Sequence, residues 1–98
     1  MIDLKQHMNL LGMQVKDRVT GFSGIVTGIC FDLYGCIQAT VHPGIVDGKL
    51  GDQLWFDVAR LKVINDAPVM DPPQFDWSAA EVARGKKGPN EKSNYNKN

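Results

Sequence analysis

The chain has 98 residues, and eleven Lys and Arg side chains balance eleven Asp and Glu side chains, so its formal net charge is zero. A chain of this length fits one small domain that buries roughly 60 to 65 per cent of its unfolded surface. The neutral balance argues against a strongly basic nucleic-acid-binding protein, because phosphate affinity is built from clustered positive charge. No apolar run approaches the ~20 residues that span a bilayer, and the start lacks the zones of a signal peptide. We therefore expect a cytoplasmic protein without membrane contact.

The first half of the chain changes from a lead-in to a β pattern. Residues 1–11 have apolar side chains near helical spacing, which favours either a turn of helix or the approach to a strand. Polar and β-branched residues alternate over 14–19, as in a half-buried strand, and a loop with two glycines, 20–24, leads to a second strand over 25–31. Alternation in that second strand places Ile25, Thr27, Ile29 and Phe31 on one face, and Val26, Gly28 and Cys30 on the other.

A hairpin is predicted to contain both cysteines. Residues 32–35 favour a four-residue turn, because an Asp at its start can bond the backbone and a Gly at its end can adopt the left-handed conformation. A third strand, 36–41, then returns. If Cys36 faces Phe31 across this ladder, Cys30 lies on the opposite face, and a disulfide would require the backbone to rearrange. We therefore predict two reduced thiols.

The remaining strands are short and separated by turn residues. Residues 42–52 contain a proline and several Gly and Asp residues, which favour a loop or a second chain reversal. An aromatic-rich fourth strand, 53–57, a single 3₁₀ turn, 58–60, and a short fifth strand, 61–64, follow. Five short strands with tight turns and no long helix predict an all-β fold, as a small barrel or sandwich, over residues 12–65.

The composition changes after the fifth strand. Prolines predict an extended spacer over 66–84, in which Phe75 and Trp77 are isolated aromatic anchors that either clasp the protein's own sheet or dock on a partner or neighbouring subunit. A capping box predicts a short helix that ends near Arg84. Residues 85–98 bury too little apolar surface to offset their ordering entropy, so we expect a disordered basic tail.

A resemblance to known proteins adds to this pattern. Residues 15–29, VKDRVTGFSGIVTGI, resemble a KOW-type segment, in which a charged strand start precedes a glycine loop and an alternating strand. Together with residues 55–57 and 61–63, this segment looks like a five-stranded barrel of the Src-homology-3 type. Segments within residues 15–36, together with Phe56 and Asp57, are also similar to small uncharacterised proteins of tailed bacteriophages and prophages.

The resemblance implies a place of action and a kind of partner. A phage-encoded protein would act in the host cytoplasm or enter the virion. KOW-like domains are best known from ribosomal and transcription-elongation proteins, where loops carry basic residues to RNA or to the polymerase. This chain departs from that pattern, because residues 20–24 contain no Lys or Arg.

Candidate sites for chemistry are few. Cys36 and His42 are separated by ~20 Å along one strand, too far for a shared metal ion. Asp47, Asp52 and Asp57 fit turn chemistry better than a cation site, because their spacing lacks a calcium-loop pattern. No arrangement of residues has the features of a catalytic site, so we expect no metal, no cofactor and no enzymatic activity.

The predicted site residues are therefore binding residues. Adjacent residues of a strand point to opposite faces, so Phe56 is expected to share a face with Leu54. If Leu54 is core, Trp55 is the exposed member and a binding anchor. The residues predicted to bind a partner are Trp55, Arg60, Lys62, Phe75 and Trp77. A basic and aromatic face suited to single-stranded nucleic acid would instead use Lys16, Arg18, Arg60, Lys62, Arg84, Lys86 and Lys87.

Three functions follow from these features as hypotheses. The first is a non-enzymatic phage or prophage accessory protein that binds another protein. The second is a KOW-like module that binds nucleic acid or the transcription machinery. The third is an oligomer that holds a small nucleotide-like ligand between subunits, as some phage counter-defence proteins do. The sequence does not determine the oligomeric state.

Overall fold

The computed structural model describes residues 3–75, and these residues form a mostly β domain. A five-residue helix, α1 (Leu4–Met8), precedes the strands. The strands are β1 (Gln14–Asp17), β2 (Ser23–Phe31), β3 (Ile37–His42), β4 (Ile45–Val46), β5 (Lys49–Leu50), β6 (Leu54–Asp57) and β7 (Leu61–Val63). The predicted 3₁₀ turn is present over Val58–Arg60 and joins β6 to β7.

The lead-in is helical. The carboxylate of Asp3 accepts a hydrogen bond from the backbone N–H of Gln6 at 3.2 Å and so caps the first turn of α1. No residue of α1 is buried. Of the two alternatives that the sequence left open for this segment, the turn of helix is therefore the one that forms, and it lies on the surface of the sheet.

Five strands form one antiparallel sheet in the order β6-β3-β2-β1-β7. The last strand returns to pair with the first, so β1 lies between β2 and β7. Strands β6 and β7 are the two edges, and within residues 3–75 no ladder joins them, so the closed barrel stays a prediction. Strands β4 and β5 form a separate hairpin, which is the second chain reversal that the sequence allowed.

The core is small and lies on one face of this sheet. Its fully enclosed side chains are mostly aliphatic, as expected for alternating strands with one buried face. They are Val15, Val26, Ala39, Val41, Phe56 and Leu61. The ring of Phe56 also packs on that of Phe22 from the glycine loop, with 5.4 Å between ring centroids, so the loop is held against the core by an aromatic contact.

The predicted faces of β2 are wrong beyond Val26, because a β-bulge interrupts the alternation. Val26 pairs with Val41, and Gly28 pairs with Thr40, so two steps along β2 match one step along β3. The extra residue is Thr27. The bulge turns Ile29 to the same core face as Val26, whereas strict period-two alternation placed these two residues on opposite faces.

The cysteine hairpin is one residue longer than predicted. Phe31 pairs with Ile37, not Cys36, so the loop spans residues 32–36 and Cys30 lies opposite Gln38. The Asp32 side chain accepts hydrogen bonds from two backbone N–H groups of this loop, at 2.9 and 2.8 Å, which lets five residues close the turn. Both thiols are free and exposed.

The first segment of the spacer, which we call the strap (residues 65–75), runs along the sheet. The Asn65 side chain accepts from the Gln14 N–H at 3.0 Å and donates to the Ala67 carbonyl at 2.7 Å. Farther along, the Val69 N–H donates to the Gly12 carbonyl at 2.9 Å. The predicted short helix, the basic tail and the site residues Trp77, Arg84, Lys86 and Lys87 lie outside the described residues.

Candidate binding surfaces

A buried ion pair joins the first strand to the 3₁₀ turn. Asp17 ends β1 and is only 1% exposed. The Arg60 guanidinium donates to both carboxylate oxygens of Asp17, from Nε at 2.8 Å and from Nη2 at 2.6 Å. The Thr20 N–H and hydroxyl also donate to this carboxylate. These bonds fix the turn after β1 and explain why β1 ends at residue 17 and not at residue 19.

The charges of this pair stabilise one another. The hydrogen bonds from Arg60 hold the pKa of Asp17 far below its usual range, although burial acts in the opposite direction. Asp17 in turn raises the pKa of Arg60. The guanidinium also lies 5.2 Å from the centroid of the Phe56 ring. Arg60 thus has a structural role inside the domain, and its predicted contact with a partner stays a prediction.

Trp55 and Phe56 separate as predicted. Phe56 is 6% exposed and belongs to the core, whereas Trp55 is 55% exposed on the opposite face of the edge strand β6. The neighbour of Trp55 across the ladder is Thr40, whose hydroxyl hydrogen-bonds that of Thr27 at 2.9 Å. An indole that is half exposed beside this hydrogen-bonded pair of threonines is suited to contact another molecule.

Two of the predicted basic residues meet on the sheet. Lys16 in β1 lies directly opposite Lys62 in β7, a pairing that brings Cβ atoms within about 4.5–5.5 Å. The backbone N–H of Arg18 donates to the Arg60 carbonyl at 2.8 Å, so Arg18 is held beside this pair. Within residues 3–75 the only ion pair is that of Asp17 with Arg60. We call Lys16, Arg18 and Lys62 the basic patch.

A second feature, which the sequence did not indicate, is an apolar hairpin. Strands β4 and β5 pair Ile45 with Leu50 across a turn in which Asp47 and Gly48 both have positive φ, at 52° and 78°. Two successive positive φ angles are typical of the tight turns that fit strand twist. Ile45 and Leu50 are nonetheless exposed, Leu50 by 69%. The sequence allowed a second chain reversal here but did not indicate an apolar surface, although the flanking aliphatic residues were the available signal.

This hairpin forms one wall of an open groove of about 450 Å³, which we call the hairpin groove. The Phe22 side chain from the glycine loop forms the opposite wall, and the ring of Phe56 anchors Phe22 to the core. One acidic residue, Asp52, is among the lining residues. The lining consists of Phe22, Pro43, Val46, Leu50, Gly51, Asp52 and Leu54. None of the predicted site residues lies in this groove.

A larger groove, which we call the strap groove, shares no lining residue with the hairpin groove. It has a volume of about 620 Å³, and its walls are α1, the bulged part of β2 and the strap. Phe75 lines it, together with Met8 and Leu11. Phe75 therefore lies beside the domain's own surface. Contact with the protein's own sheet was one of the two alternatives that the sequence left open for the aromatic anchors.

The reactive groups of the described residues offer little chemistry. The charge of Asp32 raises the pKa of the Cys36 thiol, which lowers the thiolate fraction that would act as a nucleophile. Within residues 3–75, no three His, Cys, Asp or Glu side chains are grouped closely enough to hold a metal ion. No helix in the same range is long and apolar enough to cross a membrane.

Comparisons with known proteins give no relative for this chain. No protein-family model, no curated protein and no solved structure matches it significantly. The function must therefore be inferred from the surfaces themselves.

Proposed function

We propose that this protein is a non-enzymatic binding module that acts through protein–protein contacts, and that the hairpin groove is its contact site. The observation that carries the proposal is the group of exposed aliphatic side chains on β4 and β5 beside an apolar groove. Folding does not require these side chains to be apolar, because they lie outside the core. Exposed apolar patches with a polar rim are typical of protein interaction sites.

The shape of this surface also supports the proposal. The β4–β5 turn is tight, and Phe22 is fixed by its stacking on Phe56, so a partner would meet preformed walls. Preformed sites bind more tightly because less conformational entropy is lost on association. An aliphatic side chain of the partner would fill the groove, and a neighbouring basic side chain would form an ion pair with Asp52.

The type of fold and the origin belong to the same proposal. We assign the sheet to the Src-homology-3 or KOW type, because its last strand pairs with its first and a 3₁₀ turn precedes that last strand. The resemblance of residues 15–36 to phage proteins supports an accessory role for a phage or prophage. Such a protein would work in the host cytoplasm or in the virion.

Site-specific photo-crosslinking in infected bacterial cells tests this proposal. A photoreactive amino acid replaces Leu50 in the groove or, as a control, Val19, which is 74% exposed but outside the groove. We expect a crosslink to one defined protein from position 50 and none from position 19. Equal crosslinking from both positions, or none from position 50, would contradict the proposal.

The basic patch supports a second candidate function, the binding of nucleic acid. Two like charges directly opposite each other on neighbouring strands repel and destabilise a sheet. The side chains of Lys16 and Lys62 form such a pair, and neither has a carboxylate partner within residues 3–75. A polyanion would relieve their repulsion.

Salt dependence tests this candidate. Affinity for single-stranded RNA should fall as salt rises, with a slope of about 0.7 per phosphate contact on logarithmic axes. The double variant Lys16→Gln/Lys62→Gln should lower that slope by about 1.4, because it removes two contacts. Lys49→Gln, on the hairpin, is the matched control. Absence of binding even at low salt would exclude this function.

A third candidate is an oligomer that holds a nucleotide-like ligand between its subunits. The exposed Ile45 and Leu50 side chains and the open edge of β6 are surfaces that a second copy could cover. Native mass measurement combined with nucleotide-dependent thermal shift tests this candidate. A monomer whose unfolding temperature no nucleotide changes would exclude it.

A further inference from the structure

The strap is attached to the sheet at a defined position. Gly12 has a φ of +84°, and its carbonyl accepts the Val69 N–H. A Cβ atom at Gly12 would lie 2.8 Å from the Met70 carbonyl oxygen and 2.9 Å from the Pro68 Cβ. The strap therefore lies so close to Gly12 that only glycine fits at this position. This contact fixes the position of the strap on the sheet.

The strap groove is an apolar surface next to the last described residues of the chain. Its lining is mostly apolar, with Met8 from α1, Leu11, and Ile25 and Ile29 from β2 among its members. Its volume of about 620 Å³ exceeds what one aromatic side chain requires. The last described residue, Phe75, lines the same groove, so the following residues start at its edge.

We propose that the segment following Phe75 occupies the strap groove, with Trp77 as its anchor. Two residues span at most about 7 Å, a distance that allows Trp77 to reach the groove that Phe75 lines. An indole combines a large apolar surface with one N–H donor. The groove offers an apolar floor and, in Asp71, a carboxylate that can accept this N–H.

The consequence concerns which surface remains open. A groove occupied by the protein's own chain is not a partner site, whereas the hairpin groove, which shares no lining residue with the strap groove, stays open for binding. The proposal does not depend on the proposed function, because it concerns a contact within one molecule.

Tryptophan fluorescence of the full chain tests the proposal. The chain has two Trp residues, so Trp55→Phe leaves Trp77 as the only indole. We expect its emission to be blue-shifted and its acrylamide quenching constant to be several-fold lower than in the same variant unfolded by urea. Adding Met8→Glu places a charge on the groove wall and should shift the emission to the red and restore quenching. Leu4→Glu, on the same helix but outside the groove, is the matched control.

Each other outcome overturns the proposal. Quenching of Trp77 as strong in the folded as in the unfolded chain would mean that the indole is in solvent and the groove is open to a partner. Protection that appears only as the protein concentration rises would mean that a second copy supplies the indole. An equal response to Met8→Glu and Leu4→Glu would mean that Trp77 is protected elsewhere. Because α1 has no buried residue, neither substitution should unfold the domain.

Discussion

At the scale of single residues, Asp17 is the one charged side chain that is buried among the described residues. Its carboxylate binds Arg60 from the 3₁₀ turn and Thr20 from the turn after β1, and so joins segments 43 positions apart in the sequence. A buried carboxylate is stable only when its charge is paired and its oxygens are hydrogen-bonded. Both conditions are met at Asp17, so its removal should affect stability more than that of an exposed carboxylate.

The pH dependence of Asp17→Asn tests this role. A carboxyl whose pKa is lowered by folding stabilises the protein above its unfolded pKa of about 3.9, and this contribution is lost as the pH falls below that value. At pH 7 the variant should therefore be clearly less stable to urea than the wild type. As the pH falls below about 4, the difference between the two should shrink.

Asp47→Asn is the matched control for this measurement. Asp47 has a φ of 52° in the β4–β5 turn, a conformation that Asn also tolerates. This substitution removes one exposed carboxylate and leaves the ion pair of Asp17 with Arg60 intact, so it controls for the loss of one negative charge. A stability difference for Asp17→Asn that stays constant from pH 7 to pH 3 would show that the ion pair does not stabilise the fold.

The neighbours Trp55 and Phe56 provide a second test at this scale. Phe56→Ala removes a core ring and should cost about 3–5 kcal/mol of unfolding free energy. Trp55→Ala removes a half-exposed ring and should change this free energy by about 0.5 kcal/mol or less. Urea titration of both variants measures the difference. Equal costs would mean that the face assignment of β6 is wrong.

At the scale of elements, the contact between the strap and Gly12 can be separated from backbone strain. Gly12 and Gly44 have the same φ of +84°, but an added Cβ at Gly44 would meet no atom within 4 Å. Both Gly→Ala substitutions carry the left-handed penalty of about 1–2 kcal/mol, and only Gly12→Ala also collides with the strap. Gly12→Ala should therefore be the more destabilising in urea unfolding. Equal destabilisation would mean that the strap does not press on Gly12.

The sequence predicted where most elements lie but not how they pair. Alternation identified β1 and β2, and the turn residues identified the hairpin between β2 and β3. The bulge at Thr27 could not be predicted, because alternation assumes that each residue has one partner. The register of Cys30 was wrong by one pair, because the Asp32 side chain accepts bonds that close a longer loop.

The candidate site was less predictable than the strands. Trp55 was expected to be exposed if Leu54 joined the core. Trp55 is exposed and Phe56 is buried, but Leu54 is itself 46% exposed, so that condition is not met. The hairpin groove, in contrast, combines Phe22 from the glycine loop with residues from β5 and β6. The ion pair of Asp17 with Arg60 likewise joins distant segments. Contacts between residues so far apart in the sequence depend on the order of the strands in the sheet, and the local sequence patterns carry no information on that order.

At the scale of the whole molecule, the strap groove and the hairpin groove are two apolar surfaces that residues 3–75 form around a small core. The strap and its continuation are proposed to cover one groove, which leaves the hairpin groove and the basic patch as surfaces for other molecules. Apart from Phe22, the residues of these two surfaces neither belong to the core nor pack against it. Substitutions there should therefore alter binding without altering folding, which allows the two properties to be measured separately.

The proposed binding of a protein partner in the hairpin groove predicts how the affinity for the partner crosslinked at position 50 responds to substitutions in the groove. Calorimetry would compare wild type, Leu50→Glu and, as an exposed control, Val19→Glu. We predict that Leu50→Glu weakens binding by at least about 2 kcal/mol, or roughly 30-fold, as expected for a central interface residue. Val19→Glu should have little effect. Unchanged affinity in Leu50→Glu, with its stability intact, would contradict the account.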